Sequence, residues 1–558
     1  MAEVTDTYDA VIVGAGIAGM YGVWKLRGEG FRVRAFERGD GVGGTWYWNR
    51  YPGARCDVDS VDYSFSFDEE LEQEWDWTER YPTQPELLRY FNHVADRFDL
   101  RRDIQLNTTV TSASYDEARA RWIITTDDGR TTAARFLITA SGCLSLVNRP
   151  DFPGLEDFTG DWYHTARWPE EDVDLTGKRV GIIGTGSTGI QLIPQLARQA
   201  DHLTVFQRTP NFSVPARNAP LDPAEAAAVK ANYRKIRKDN RESAFGQMRV
   251  ANDQSALEVT PAEVKAEMDA RWEVGGGPAV MLCFTDVLVD DRANEIVADY
   301  VRDQIRATVK DPETAERLCP TNHPIGCKRI CVDIDYFETY NRDNVDLVDV
   351  REAPIEAITE TGIRLEDGRE FTLDVIVFAT GFDAMTGTLF EMNITGRDGQ
   401  RLQDKWSEGP RTYLGLSTSG FPNLFMVTGP GSPSVLSNMM VSVEQHIDWI
   451  TGALVHAREQ GVDVVEAAPA AEERWSAHVA NVANATLFPK ANSWYMGRNI
   501  PGKPRVMSPY VGGVGLYREQ CRRVAEHGYE GFAFDGDEVP VTHADPDKTM
   551  ADQLAAAG

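Results

Sequence analysis

The sequence predicts an α/β fold built on two parallel-sheet cores with a helical insertion, and three observations carry that prediction. A strand, a glycine turn, a helix and a second strand follow one another over residues 8–37, and the same order returns over residues 179–208. Residues 221–318 turn instead to Ala, Glu, Lys and Arg with weak helical periodicity, broken at Gly275–Pro278. The two cores begin roughly 170 residues apart, a spacing suited to separate domains of one chain.

In the first core, Tyr8–Val13 is an apolar run, Gly14, Gly16 and Gly19 punctuate the turn, Ile17–Leu26 has helical spacing and Val33–Phe36 is extended. The first glycine permits the tight turn, the second lets backbone approach a pyrophosphate, and the third lets helix and strand pack closely. The helix N-terminus then offers free N–H groups to phosphate charge. Glu37, at the end of the next strand, is placed to accept from a ribose diol and disfavours a 2′-phosphate, so FAD or NAD fits here.

In the second core, Arg179–Ile183 leads into Gly184, Thr185, Gly186, Ser187 and Gly189, a helix through Leu196 and the strand His202–Phe206. Gln207 and Arg208 occupy the strand end where an acid would stand, and Arg there accommodates a 2′-phosphate, so NADP is the expected ligand. Two sites of opposite ribose preference imply electron transfer from NADPH to a flavin. The strand ending at Ala140–Gly142 and the strand Leu373–Phe378, which runs into Ala379–Asp383, read as crossings between the cores. The expected division is two Rossmann-like dinucleotide-binding domains, each in two parts. Residues 1–145 and 379–535 form the FAD domain, 146–215 and 326–378 the NADP domain, 216–325 the helical insertion and 536–558 an acidic, mobile tail.

Composition narrows the partners. Lys and Arg total 57 against 86 Asp and Glu, a net charge of −29 that repels nucleic acid and anionic membranes, so an anionic ligand needs a local cluster of cations or amide dipoles. No apolar run approaches the roughly 18 residues of a membrane span. The polar start before Tyr8 leaves no room for a secretion signal. Seven scattered cysteines form neither a disulfide framework nor a metal pair, so a reducing cytoplasm is expected, with no metal and a monomer or weak homodimer. With only Cys56 in the loop after Glu37, dithiol chemistry is excluded and the reduced flavin itself is the expected reagent for oxygen.

Two longer motifs add a resemblance. Phe158–Pro169, with Phe158, Gly160, His164 and Trp168 at the defined positions, matches the pattern FxGxxxHxxxW(P/D), and Gly43–Asp57 matches GGxWxxxxYPGxxxD throughout. The chain thereby resembles the Baeyer–Villiger monooxygenases over about Tyr8 to Phe534, most of all the phenylacetone and steroid monooxygenase branch. The sister N- and S-oxygenating flavin monooxygenases carry Tyr or Phe where this chain has Trp168. The resemblance implies that NADPH reduces FAD, that dioxygen then forms a flavin peroxide, and that this attacks a small-molecule ketone to give an ester or lactone, with sulfoxidation as a side activity.

It also implies roles. Arg329 is the catalytic cation, oriented by Asp57, and Lys328 joins Arg208 at the 2′-phosphate. At about 4 Å and an effective dielectric near 20, one positive charge stabilises an anion by about 4 kcal/mol, on the order of 3 pKa units. Glu37, Thr45, Trp46, Asp57, Tyr63 and Val110 are expected at FAD, and Arg55, Thr185, Ser187, Gln207 and Trp494 at NADP. The loop after Gly429, with Ser434, Val435, Leu436 and Met439, is expected to face substrate. By residue type alone His164, Trp162 and Trp168 read as packed core; the resemblance makes them holders of the linker between domains, His164 coupling the domains and not acting as a base. Rival readings are an N/S-oxygenating monooxygenase and a non-catalytic redox sensor.

Overall fold

The computed structural model describes residues 4–247 and 249–542, which form two main sheets with parallel cores. In the first, β1 (Val4–Val13) lies parallel to β2 (Val33–Phe36) across the helix α1 (Ile17–Gly28). After the helix α2 (Gln84–Arg97), β3 (Ile104–Gln105) extends the parallel edge, and β4 (Val110–Asp116), β5 (Arg121–Thr126) and β6 (Thr131–Thr139) form an antiparallel meander. β6 returns parallel to β1, its Thr139 opposite Val13.

The chain then enters the second sheet through β7 (Asp161–His164), followed by β8 (Arg179–Ile183), α3 (Ser187–Gln199) and β9 (His202–Gln207). β10 (Ser213–Pro215) leads out of it into the insertion, whose main helices are α4 (Pro223–Glu242), α5 (Pro261–Val274), α6 (Asp291–Thr308) and α7 (Pro312–Leu318). Each is capped by its own sequence: Asp222, Thr260, Asp290 and Asp311 accept from first-turn amides, and proline follows the cap in three of the four. Apolar side chains including Met268, Phe284, Val297 and Val301 bury one common core there.

β11 (Cys331–Asp333) pairs back onto β10. β12 (Val345–Asp349) then joins the second sheet, a three-stranded antiparallel flap of β13 (Ile355–Thr359), β14 (Gly362–Leu365) and β15 (Glu370–Thr372) follows, and β16 (Val375–Phe378) completes the order β12-β9-β8-β16-β7. The chain returns to the first sheet with β17 (Ile394–Thr395) and β18 (Leu424–Met426), and α8 (Met439–Gln460) packs on α1 through Met440, Val443 and Ile447.

The glycines at the two turns answer to close backbone approach. Gly14 and Gly184 have φ of +110° and +114°, and a Cβ on either would sit 2.5 Å from the carbonyl oxygen of Ala140 or Ala379, the residues just after β6 and β16. A Cβ on Gly19 or Gly189 would sit 1.9 or 2.3 Å from the carbonyl oxygen of Gly14 or Gly184. Each crossing therefore starts packed against a glycine turn.

The C-terminal end departs from expectation. Residues 536–542, assigned to a mobile tail, hold a hairpin: β19 (Phe532–Phe534) pairs antiparallel with β20 (Asp537–Glu538), and Thr542 donates to Glu530 through both backbone and hydroxyl. Polar composition misleads here because a backbone ladder orders the segment and Val539 and Val541 pack against the core of the first sheet. Residues 543–558 lie outside the described residues. Among the described residues no helix is long and apolar enough to cross a membrane, and no group of three or more His, Cys, Asp or Glu could hold a metal ion.

Candidate active site

One loop touches both glycine turns. Gly44 packs on Gly16, where a Cβ on Gly44 would lie 2.7 Å from the Gly16 Cα, and Gly43 N–H donates to Ala15. Farther along, Tyr51 donates through its hydroxyl to Gln191 Oε1 at 2.8 Å, Gln191 Nε2 donates to the Arg55 carbonyl at 3.1 Å, and Gly53 abuts the same turn of α3. Trp46 donates its indole N–H to the Tyr63 hydroxyl at 3.2 Å, both buried, while Thr45 is exposed. Glu37 is fixed by Ala15 N–H on Oε2 and Gly39 N–H on Oε1, each at 2.8 Å. Val110, the first residue of β4, is buried in the core of that sheet.

The loop ends at Asp57, whose carboxylate grips Arg329 from 272 residues away. Arg329 Nε donates to Oδ2 and Nη2 to Oδ1, both at 2.7 Å, and Nη1 donates to the Val435 carbonyl at 2.8 Å. Burial alone would raise the Asp57 carboxyl; the charge and hydrogen bonds of Arg329 outweigh it and hold the carboxyl below the usual range. For Arg329 burial acts against the charge, and the paired Asp57 more than offsets it, so the guanidinium stays protonated. Tyr495 also faces the guanidinium with its phenol, so Asp57, Val435 and Tyr495 together hold the side chain in place. Behind it, Asn211 Nδ2 donates to the Arg329 carbonyl at 3.1 Å and to Cys331 Sγ at 3.0 Å, and Cys331 Sγ lies 3.3 Å from Ser187 Oγ. The segment that carries Arg329 into β11 is thus tied to the second glycine turn.

At that turn Thr185 Oγ1 donates to the Thr209 carbonyl at 2.9 Å and Gly186 stands in open space. Lys328 is held below the ordinary lysine range by burial and then by the nearby charge of Arg208. Two cations this close in an acidic protein make a seat for an anion. Two expected contacts look different here. Gln207 is fully buried in a strand covered on both faces and donates to the Arg317 carbonyl at 2.8 Å, its Oε1 left without a partner among the described residues, while Arg208 just beyond the strand is exposed. Arg55 pairs with Glu79 at 3.2 Å and donates to the Tyr81 carbonyl.

The wall beside Arg329 gathers Val435, Leu436, Met439, Met385 and Trp494 in one apolar cluster. Ser434 is fully buried at a φ of +45° and directs its hydroxyl to Met385 Sδ within that cluster, so Leu436 and Met439 carry the accessible apolar surface.

The histidine motif ties the two crossings together. His164 Nδ1 accepts from Ala166 N–H at 3.1 Å, so Nε2 carries the proton toward Thr380 Oγ1 at 3.1 Å, and Thr380 donates on to the Asn148 carbonyl at 3.0 Å. Burial, then Arg167, push His164 down to about 4. Trp168 is buried against Tyr163 in the second core, and Phe158 packs beneath the antiparallel flap. A Cβ on Gly160 would meet the Asp374 carbonyl at 2.4 Å. Trp162 is 38% exposed on the edge strand, where only its contact with Phe378 supports a linker role.

The family model described as FMO-like, flavin-binding monooxygenase-like, matches residues 8–217. A Baeyer-Villiger monooxygenase of Pseudooceanicola batsensis is 45% identical over 526 residues, covering 94% of this chain and 95% of its own length. The chain belongs to the Baeyer–Villiger monooxygenase family. An oxidized steroid monooxygenase bound to NADP is another similar member, at 54% identity and a TM-score of 0.91, with 95% of this chain and 99% of that one covered. A phenazine N-monooxygenase, PhzNO1 of Lysobacter antibioticus, is 44% identical over 98% of both chains.

Several residues of this family site escape a reading by sequence. Gln191, Asn211, Thr380 and the Val435 carbonyl act through contacts between distant segments. Tyr495 is buried against Arg329, and burial, eased by that charge, pushes its phenol up to about 12. Its place beside Trp494 was the only signal for it.

Proposed function

We propose that this chain converts ketones to esters or lactones with FAD, NADPH and dioxygen, in the manner of its family, with sulfoxidation as a side activity. The observation that carries the reading is the Arg329 guanidinium, fixed by Asp57 and the Val435 carbonyl beside Tyr495, where the loop that packs on the first glycine turn ends.

The residues fit both nucleotides. α1 and α3 each start at an N-cap glycine with no side-chain cap, which leaves first-turn amides for a pyrophosphate. Glu37 would hold the flavin nucleotide's ribose, and Lys328 with Arg208 the 2′-phosphate of NADPH. Trp46, Asp57 and Tyr63 would line the flavin. When bound, the flavin takes hydride from the nicotinamide and activates dioxygen.

Arg329 supplies a charge that does not titrate, keeps the attacking oxygen anionic and stabilises the negative oxygen that develops on the carbonyl. Asp57 orients it. Leu436 and Met439 offer the ketone an apolar wall and exclude water. The proposed setting is the cytoplasm, as a monomer or weak homodimer, supported by seven cysteines that are free and buried.

Arg329→Ala should leave flavin reduction by NADPH near the wild-type rate yet lower ester formation about a hundredfold or more, the loss typical of one stabilising donor. Stopped-flow absorbance and product analysis separate the two. Ester output near wild type would remove the assignment. The phenazine relative favours a second reading, oxygen transfer to ring nitrogen, and a panel of ketones beside aromatic amines under the same conditions decides between them.

A further inference from the structure

The segment Asp57–Asp62 grips the active site twice. Asp57 holds Arg329, and five residues on, the Asp62 carbonyl accepts from Asn438 Nδ2 at 2.8 Å. Asn438 is fully buried at the start of α8, where its Oδ1 caps the helix through Met440 N–H at 3.0 Å. Its own N–H donates to the Phe245 carbonyl at 2.8 Å, just beyond α4. Asn438 therefore joins three parts of the molecule at one residue, the flavin-side loop and the apolar wall through its carboxamide and the helical insertion through its main-chain N–H.

The insertion also braces Asp62. Asn240 Nδ2, fully buried, donates to Asp62 Oδ1 at 2.8 Å, and Arg237 Nη1 donates to the Asp62 carbonyl at 3.2 Å while Nε pairs with buried Glu72 at 2.7 Å. Buried polar networks whose members are hydrogen-bonded fix one geometry, since each broken bond leaves a desolvated group. Here the fixed quantity is the stretch between Val435, tied to Arg329, and Asn438, tied to Asp62. Leu436 lies between these anchors and Met439 follows directly.

We infer that Asn438 is a positioning residue that sets where the apolar wall stands relative to Arg329, and thereby which side of an unsymmetrical ketone receives oxygen. The inference rests on the proposed ketone oxygenation. Nothing in it requires Asn438 to touch substrate: the carboxamide acts through the main chain on either side of Leu436.

The test is Asn438→Asp in the FAD-loaded enzyme. A carboxylate keeps an acceptor for the Met440 cap but turns the donor facing the Asp62 carbonyl into a second acceptor. The expected result is a shift of about threefold or more in the ratio of the two esters from one unsymmetrical ketone, the scale of a single lost hydrogen bond. The ketone KM should rise by a larger factor than kcat falls. Asn240→Ala, which removes a brace of Asp62 without touching the wall, should shift the ratio the same way and carries the test if the Asp variant does not fold. A merely structural role would lower Tm and leave the ratio where it was, and that outcome in a folded variant overturns the inference. Wild-type enzyme that forms no ester overturns the ketone reading itself.

Discussion

At the residue scale, what matters is which groups keep their charge and which lose it. Arg329 stays protonated and Asp57 ionised because each stabilises the other; His164 stays neutral because burial opposes its charge. A histidine at about 4 in the fold and at its ordinary 6.5 when unfolded takes up its proton first in the unfolded chain. Its protonation therefore costs stability progressively as pH falls from 6.5 to 4, on the order of 3 kcal/mol in full, and costs nothing above that window. Urea denaturation of wild type and His164→Gln across pH 4–7 should show the wild type losing more stability on acidification; parallel curves would contradict the assignment. The chemistry of Arg208 is legible from its residue type and place at a strand end, but Arg329 and its pairing with Asp57 are legible only through family resemblance, since 272 residues separate the partners. Gln207 is legible by its place in the chain and not by its contacts. Its place at a strand end suggests a ligand contact, and in the fold it is buried, with Nε2 donating to the Arg317 carbonyl and Oε1 without a hydrogen-bond partner among the described residues.

At the element scale, the two strand–glycine turn–helix units are legible to within a few residues because local chemistry fixes them: an apolar strand, glycines where no Cβ fits, an uncapped helix start. The helical insertion is equally readable from Asp-Pro and Thr-Pro starts at 222, 260 and 311. The same crowding makes a paired prediction. A Cβ at Gly19 or Gly189 would fall far inside contact distance of the preceding turn, so alanine at either site must push helix from strand. Gly189→Ala should keep a yellow flavin that NADPH reduces at least tenfold more slowly, while Gly19→Ala should purify with little flavin. Visible absorbance before and after NADPH reads both, and identical behaviour of the two variants would contradict the division of labour between the turns. The ties across the crossings, from His164 through Thr380 to Asn148, carry no local pattern and need the folded chain to be seen.

At the scale of the whole molecule, two nucleotide-binding cores are held in register by one loop and one arginine. Gly44 rests on the first turn, Tyr51 and the Arg55 carbonyl on α3, and Asp57 on Arg329, so a single stretch of 15 residues senses both halves. A net charge of −29 is compatible with an anionic cofactor because Arg208 and Lys328 stand close enough to form one local cationic seat. The most direct test of oxygen insertion is to supply purified enzyme with FAD, NADPH, a ketone and isotope-labelled dioxygen, and to weigh the product. The account predicts an ester or lactone carrying a single labelled oxygen; NADPH consumed with the ketone returned intact and only labelled hydrogen peroxide formed would contradict it.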